Sequence, residues 1–138
     1  MDIKEYNRNV VKQFRAGGAI EGLHRERLVL LTTVGRRSGR RITTPMMFHR
    51  DGDRLLVMAS DAGSPRIPDW YRNLVADPHV AVEIGDECYR ALAVPAEGAE
   101  RERLWAIVIA NYPFFADHQV KAGRIIPVVV LTRARESA

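Results

Sequence analysis

The chain has almost no cysteine, no long apolar run and no motif for metal or covalent catalysis. Cys88 is its only cysteine, which excludes an intrachain disulfide and a cysteine-based metal site. That usage fits a reducing cytoplasm. No apolar stretch reaches the ~18–20 residues needed to span a bilayer. The first residues also lack the apolar core of a secretory leader. His24, His49, His79 and His118 are scattered, with no spacing that would set two of them on one metal. Neither a G-x-S-x-G elbow nor an H-E-x-x-H pair is present, so covalent hydrolysis and zinc proteolysis have no visible support. Internal repeats and low-complexity linkers are missing as well.

What remains is ordinary in bulk. Hydrophobic residues make up 46% and charged residues 28% of 138 positions, as expected for one soluble domain with a real core. The formal charge of +4 suits an acidic ligand or an anionic surface without selecting either. The basic residues concentrate in one turn and one helix face, and no nucleic-acid-binding motif accompanies them, so nucleic acid is not an expected partner.

The first segment, "IKEYNRNVVKQFRAGGA", reads as an amphipathic helix. Ile3, Tyr6, Val10 and Phe14 share one face, and Lys4, Arg8, Lys12 and Arg15 form a basic stripe. Asp2 suits its start, and Gly17 and Gly18 its stop. Residues 1–22 form this helix and a linker; 23–138 form the main body of a single domain. The body is rich in β signals: "RLVLLTTVG", "RITTPMMFHR", "RLLVMAS", "HVAVEI", "CYRALAVPA" and the closing "RIIPVVVLTR". Hairpin turns fall at Asp51–Asp53 and Ile84–Glu87. Pro68 opens a short helix that Pro78 ends. A longer helix, with Leu104, Ile107 and Val108 facing inward, and a short one over "FFADHQVKAG" precede the last strand. The fold class is mainly β with α: a six-stranded antiparallel barrel with flanking helices. Cys88, on a strand, reads as a half-buried packing residue.

Two stretches carry chemistry. "GRRSGRR" at Gly35–Arg41 sets four arginines around a glycine-bounded turn. Backbone N–H groups in such a turn can cradle an anion, and guanidinium forks match phosphate or carboxylate oxygens in pairs. The spacing is not that of a Walker loop. "NYPFFADHQ" packs Tyr112, Phe114, Phe115 and His118 close together. Such a cluster either packs a core or walls a pocket for a flat ring, where tyrosine or histidine can donate a proton.

Taken together, "TTVGRRSG", "TTP" at Thr43–Pro45, "MASDAG" at Met58–Gly63, "PDWYRNLVADPHVAV", "NYP" with Gln119, and "GRIIPVVVL" resemble the deazaflavin-dependent nitroreductase and F420H2-dependent quinone reductase family. The resemblance runs from about Leu28 to Arg133. It implies a split β-barrel related to FMN-binding barrels, and coenzyme F420 as cofactor rather than FMN. By position, Arg36, Arg37, Ser38 and Gly39, with Arg41 beside them, would meet the acidic phosphate and oligoglutamate tail. Thr44, Pro45 and Met46 would border the cofactor, Ser60 would lie near the deazaflavin ring, and Trp70 and Asn73 would support the site. Tyr112 and His118 would supply the proton, with no metal required.

Members of the family often place an arginine where this chain has Ile42. They also carry tyrosines where it has Phe115 and His118. Histidine can still carry a proton near neutrality.

The implied activity is hydride transfer to a quinone, an activated enone or a nitroaromatic. Two other readings stand beside it: a non-catalytic barrel that binds a lipid or haem, and an FMN-dependent oxidoreductase. Docking on the inner face of the membrane and homodimer formation are further expectations.

Overall fold

The computed structural model describes residues 3–20 and 22–134. Its layers follow from two kinds of strand. In β1 (Leu28–Val34), β4 (Arg54–Met58) and β7 (Val128–Arg133) the apolar residues run on without alternation. Such strands are buried on both faces. Val29, Leu31, Leu55, Val57, Val129 and Leu131 point into a central core. Their neighbours Leu28 and Leu30 point outward beneath α1 (Ile3–Ala16). Leu56, Met58, Val128 and Val130 point outward beneath α3 (Gly98–Asn111) and α4 (Phe114–Ala122). β5 (His79–Ile84) and β6 (Glu87–Pro95) instead alternate, burying Val80, Val82, Ala91 and Ala93 while their other face looks outward. Each fully buried leucine or valine contributes about 1.5–3 kcal/mol.

The sheet runs in the order β2-β1-β5-β6-β7-β4-β3, with every pairing antiparallel. β2 (Arg41–Met47) and β3 (His49–Asp51) sit at opposite ends of that order, yet only Phe48 separates them in the chain. The first half pairs with β1 and the second with β4, so one length of chain joins the two edges and curls the sheet into a barrel. "RITTPMMFHR" reads as one strand in the sequence, and six strands are expected. The structure resolves seven because this strand changes partner at Phe48, which turns its ring into the central core. Along β2 the edge away from β1 is not paired in the sheet order, and this is where the barrel is split. Pro45, which has no N–H to give, sits on this edge strand, where proline is tolerated.

α2 (Asp69–Ala76) begins after Pro68 and stops before Pro78, as read. Three local expectations are corrected. On α1 only Val10 and Phe14 are buried, while Ile3 and Tyr6 are exposed because the barrel ends beneath the helix's second half. Cys88 is exposed, since it lies on the outward face of β6, which no helix covers. The last strand begins at Val128, with Ile125 exposed ahead of it. Asp2, read as a helix cap, lies outside the described residues.

Candidate active site

The arginine turn is built by local hydrogen bonds. The Gly35 N–H donates to Arg40 O at 2.8 Å, the Gly39 N–H to Gly35 O at 2.8 Å, and the Arg40 N–H to Ser38 Oγ at 3.1 Å. A Cβ at Gly35 would stand 2.5 Å from Ser38 Oγ, so a larger residue there would force that hydroxyl out of its place in the turn. Among the described residues no acceptor takes the N–H groups of Arg37 and Ser38. Free N–H groups in a turn of this kind can bind an anion.

The four arginines have different surroundings. The side-chain carbonyl of Asn73, a residue only 2% exposed, accepts from the Arg36 backbone N–H at 3.2 Å and from its guanidinium at 3.1 Å. A weaker pairing with Asp69 at 3.5 Å completes the clamp. The Asn73 Nδ2 donates to Thr33 Oγ1 at 3.3 Å. Arg36 thus ties the turn to α2, while Arg37 and Arg40 project from the exposed turn.

The β1–β2 register pairs Thr44 with Leu31 and Met46 with Val29, on the inward side. Arg41, Thr43 and Pro45 fall on the outward side. Arg41 therefore faces away from Thr44 and Met46, and Ile42 has the inward position. Trp70 packs edge-to-face on Tyr71 with centroids 6.5 Å apart, and both rest against the central core. Burial pushes the Tyr71 hydroxyl above its usual range, with the charge of Glu97 adding to it.

Beyond β4 the chain passes Ser60, which is buried, and then takes left-handed angles at Asp61 (φ 46°) and Ala62 (φ 54°). Arg124 holds this loop: Nη2 donates to Ser60 O at 3.3 Å and Arg66 O at 3.2 Å, and Nε to Ser64 O at 3.3 Å. Gly63 lies against α4, where a Cβ would come 3.3 Å from His118 Cα. The loop and the His118 helix are therefore packed as one wall.

At the far end of β2 lies the aromatic group. The Tyr112 hydroxyl donates to Phe48 O at 3.3 Å. Its ring meets His49 edge-on at 6.1 Å and Phe115 edge-on at 6.1 Å. His118 packs on Phe114 and Phe115 at 5.4 and 5.7 Å, and its buried Nδ1 has no hydrogen-bond partner among the described residues. Phe115 is itself buried. α4 is fixed beneath it by Arg101 and Gln119. Arg101 Nη2 donates to Gln119 Oε1 at 3.0 Å and to Ile126 O at 2.6 Å, while Gln119 Oε1 also accepts from the Ile126 N–H at 2.9 Å.

The split edge of β2 therefore runs from a cationic turn to an aromatic cluster, a span of roughly 20 Å for seven extended residues. That length and polarity fit a cofactor with a flat ring at one end and an acidic tail at the other.

Sequence reasoning missed His49, which only the strand switch at Phe48 brings against Tyr112. It also missed Arg124, whose acceptors are backbone carbonyls, and Arg101, which joins the Gln119 side chain to Ile126 O; no side-chain pattern reveals either. No cluster of metal-binding side chains occurs among the described residues.

An antiparallel split barrel whose open strand edge runs from a cationic turn to an aromatic wall is a frame that can hold and orient an organic cofactor. The comparisons make the family explicit. The chain belongs to the F420H(2)-dependent quinone reductase family, whose model matches residues 5–133. An F420H(2)-dependent quinone reductase of Mycobacterium tuberculosis is 40% identical over 108 residues, covering 76% of this chain and 72% of that one. The solved F420-H2 dependent reductase FDR-A superposes with a TM-score of 0.71 at 36% identity, over 80% of this chain and 99% of that chain. A structure described as a domain-swapped dimer gives 0.73 at 32% identity, over 94% of this chain and 99% of that chain. The expectations of family, barrel, enzyme class and coenzyme F420 are thus met.

Proposed function

We propose that this chain reduces a quinone at the aromatic end of the β2 edge, using F420H2 held along that edge. The carrying observation is the pairing of the Arg37–Ser38 cradle at one end with the His118 wall at the other. Quinone is favoured because the family and the mycobacterial relative are named for it. When bound, the reduced deazaflavin supplies a hydride equivalent.

The residues have separate tasks in this reading. Arg37, Ser38 and Gly39 hold the acidic tail, with Arg36 and Asn73 fixing the turn that presents them. Thr44, Pro45 and Met46 border the cofactor, Ser60 and its loop line the ring end, and Trp70 packs beneath. Phe114 and Phe115 exclude water. The Tyr112 hydroxyl proton is engaged by Phe48 O, which leaves His118 the freer group to deliver a proton to the reduced oxygen.

The test is a fluorescence titration of the purified chain with F420, then quinone turnover with F420H2. Micromolar binding and turnover are expected. A protein that arrives yellow with FMN, or that holds haem or lipid with no turnover on any quinone, would overturn the reading.

Two finer features belong to the same reading. On α1, exposed Ile3 (67%) and Tyr6 (42%) stand near exposed Lys4, Arg8 and Lys12. This combination suits shallow docking on an anionic membrane surface, where quinones reside. Salt-sensitive sedimentation with acidic liposomes checks it. Homodimer formation is supported by exposed Leu92 and Val94 on the open face of β6 and by the domain-swapped neighbour; light scattering checks it.

A further inference from the structure

The outward face of the sheet carries a second feature that the site above does not use. Across four strands the register sets Thr43, Thr32, Ala81 and Arg90 in one row. Thr43 and Thr32 join hydroxyls at 2.7 Å. The three small side chains make the floor of an open depression of about 480 Å³, and Arg15, Arg41 and Arg90 stand around it. Small residues in the floor and long cations in the wall leave room for a ligand between the guanidinium groups.

The charges in the depression do not cancel. Glu83 is its carboxylate, and it is committed to Arg15 through two hydrogen bonds of 3.0 and 2.8 Å. This pairing holds the Arg15 guanidinium more firmly protonated than usual. Among the described residues no carboxylate pairs with Arg41 or Arg90. Among the described residues these two guanidinium groups therefore stand without a carboxylate, over a floor that offers threonine hydroxyls. Arg41 directly follows the cationic turn in the chain, so the depression begins one residue beyond that turn, on the outer face of β2.

We propose that this depression is a second anion site, which takes a run of carboxylates between Arg41 and Arg90. The inference rests on the cofactor reading for one of its two sources: the distal glutamates of the cofactor's own tail, carried over from the turn. The other source is a free linear polycarboxylate.

Cys88 gives a built-in probe, because it is exposed and lines the depression. Alkylation of Cys88 is followed with and without free tetraglutamate. In parallel, cofactor with a long glutamate tail and cofactor stripped of glutamates are titrated against wild type, Arg90→Ala and Arg90→Glu. Saturable, salt-sensitive protection of Cys88 by tetraglutamate is the expected result. Arg90→Ala should weaken the long-tailed form about fivefold, the effect of a single exposed ion pair. Arg90→Glu should weaken it further, and both variants should bind the stripped form as wild type does.

Protection of Cys88 by tetraglutamate, with no tail-length effect, assigns the site to a free polycarboxylate. Unchanged alkylation with equal binding of both cofactor forms overturns the proposal and leaves the cofactor reading standing. Failure of wild type to bind either form overturns the cofactor reading instead; Cys88 protection by tetraglutamate then decides this site alone.

Discussion

The side-chain carbonyl of Asn73 accepts two hydrogen bonds from one residue, the backbone N–H and the guanidinium of Arg36. Its amide donates to Thr33 on β1. One buried side chain thus joins a helix, a strand and the cationic turn. Replacing Asn73 with alanine strands a buried hydroxyl and frees the turn, at a cost of about 2 kcal/mol. A lowered thermal midpoint is expected together with weaker F420 binding. Melting curves and a cofactor titration on one preparation check both.

Arg37 makes no such contact and projects from the turn. Arg37→Ala should leave the melting temperature unchanged and weaken F420 binding about tenfold, the worth of a charge-assisted hydrogen bond. The loss should shrink as salt rises. Arg36→Ala should lower stability as well as affinity. Equal behaviour of the two variants would contradict the division of roles.

His118 and Tyr112 are separable. Phenylalanine at position 118 removes a buried nitrogen that lacks a partner, so stability should hold or improve. Quinone turnover should drop about 100-fold, the usual scale for loss of a positioned acid. Tyr112→Phe loses its bond to Phe48 O and about 1 kcal/mol of stability, with a smaller effect on turnover. Rate measurements in light and heavy water across a pH series check the assignment, because a packing defect would not move the pH profile.

Acid stability depends on the hairpin between β3 and β4. Hydrogen bonding from Arg54, opposed by burial and reinforced by Arg103, holds the Asp51 carboxyl below its ordinary range. A lowered folded-state value stabilises above the unfolded value of ~3.9 and is lost as pH falls through the folded one. Asp51→Asn should therefore cost stability at neutral pH, about 1 kcal/mol for a partly exposed pair, and progressively less as pH falls below the unfolded value. Thermal melts from pH 2 to 7 read the convergence.

The packing of loop and helix gives a last test. Gly63 has φ +84°, and a Cβ there would come 3.1 Å from Lys121 Cδ and 3.3 Å from His118 Cα. Gly63→Ala should cost about 1–2 kcal/mol for the left-handed backbone alone. It should also push α4 outward, which raises the KM for quinone. A Lys121→Ala background relieves only the flexible contact and should not restore KM.

Much of this protein was legible in its sequence. The six β-rich runs and the two hairpin turns already announce an antiparallel barrel. Pro68 and Pro78 bound α2 by removing backbone donors and angles. The glycines around Arg36–Arg41 announce a tight cationic turn, and the ordered set of motifs announces the family. Tertiary structure alone decided what long-range contacts decide. Strand alternation put Arg41 and Cys88 on the outer face, but only the placement of the helices left that face open. A partner switch at Phe48 brought His49 to Tyr112. The fold turned Arg36 inward to Asn73 while leaving Arg37 free, although the two are neighbours of one kind. Local pattern fixes which atoms a residue offers; which of them find a partner is settled only when distant chain segments are packed against one another.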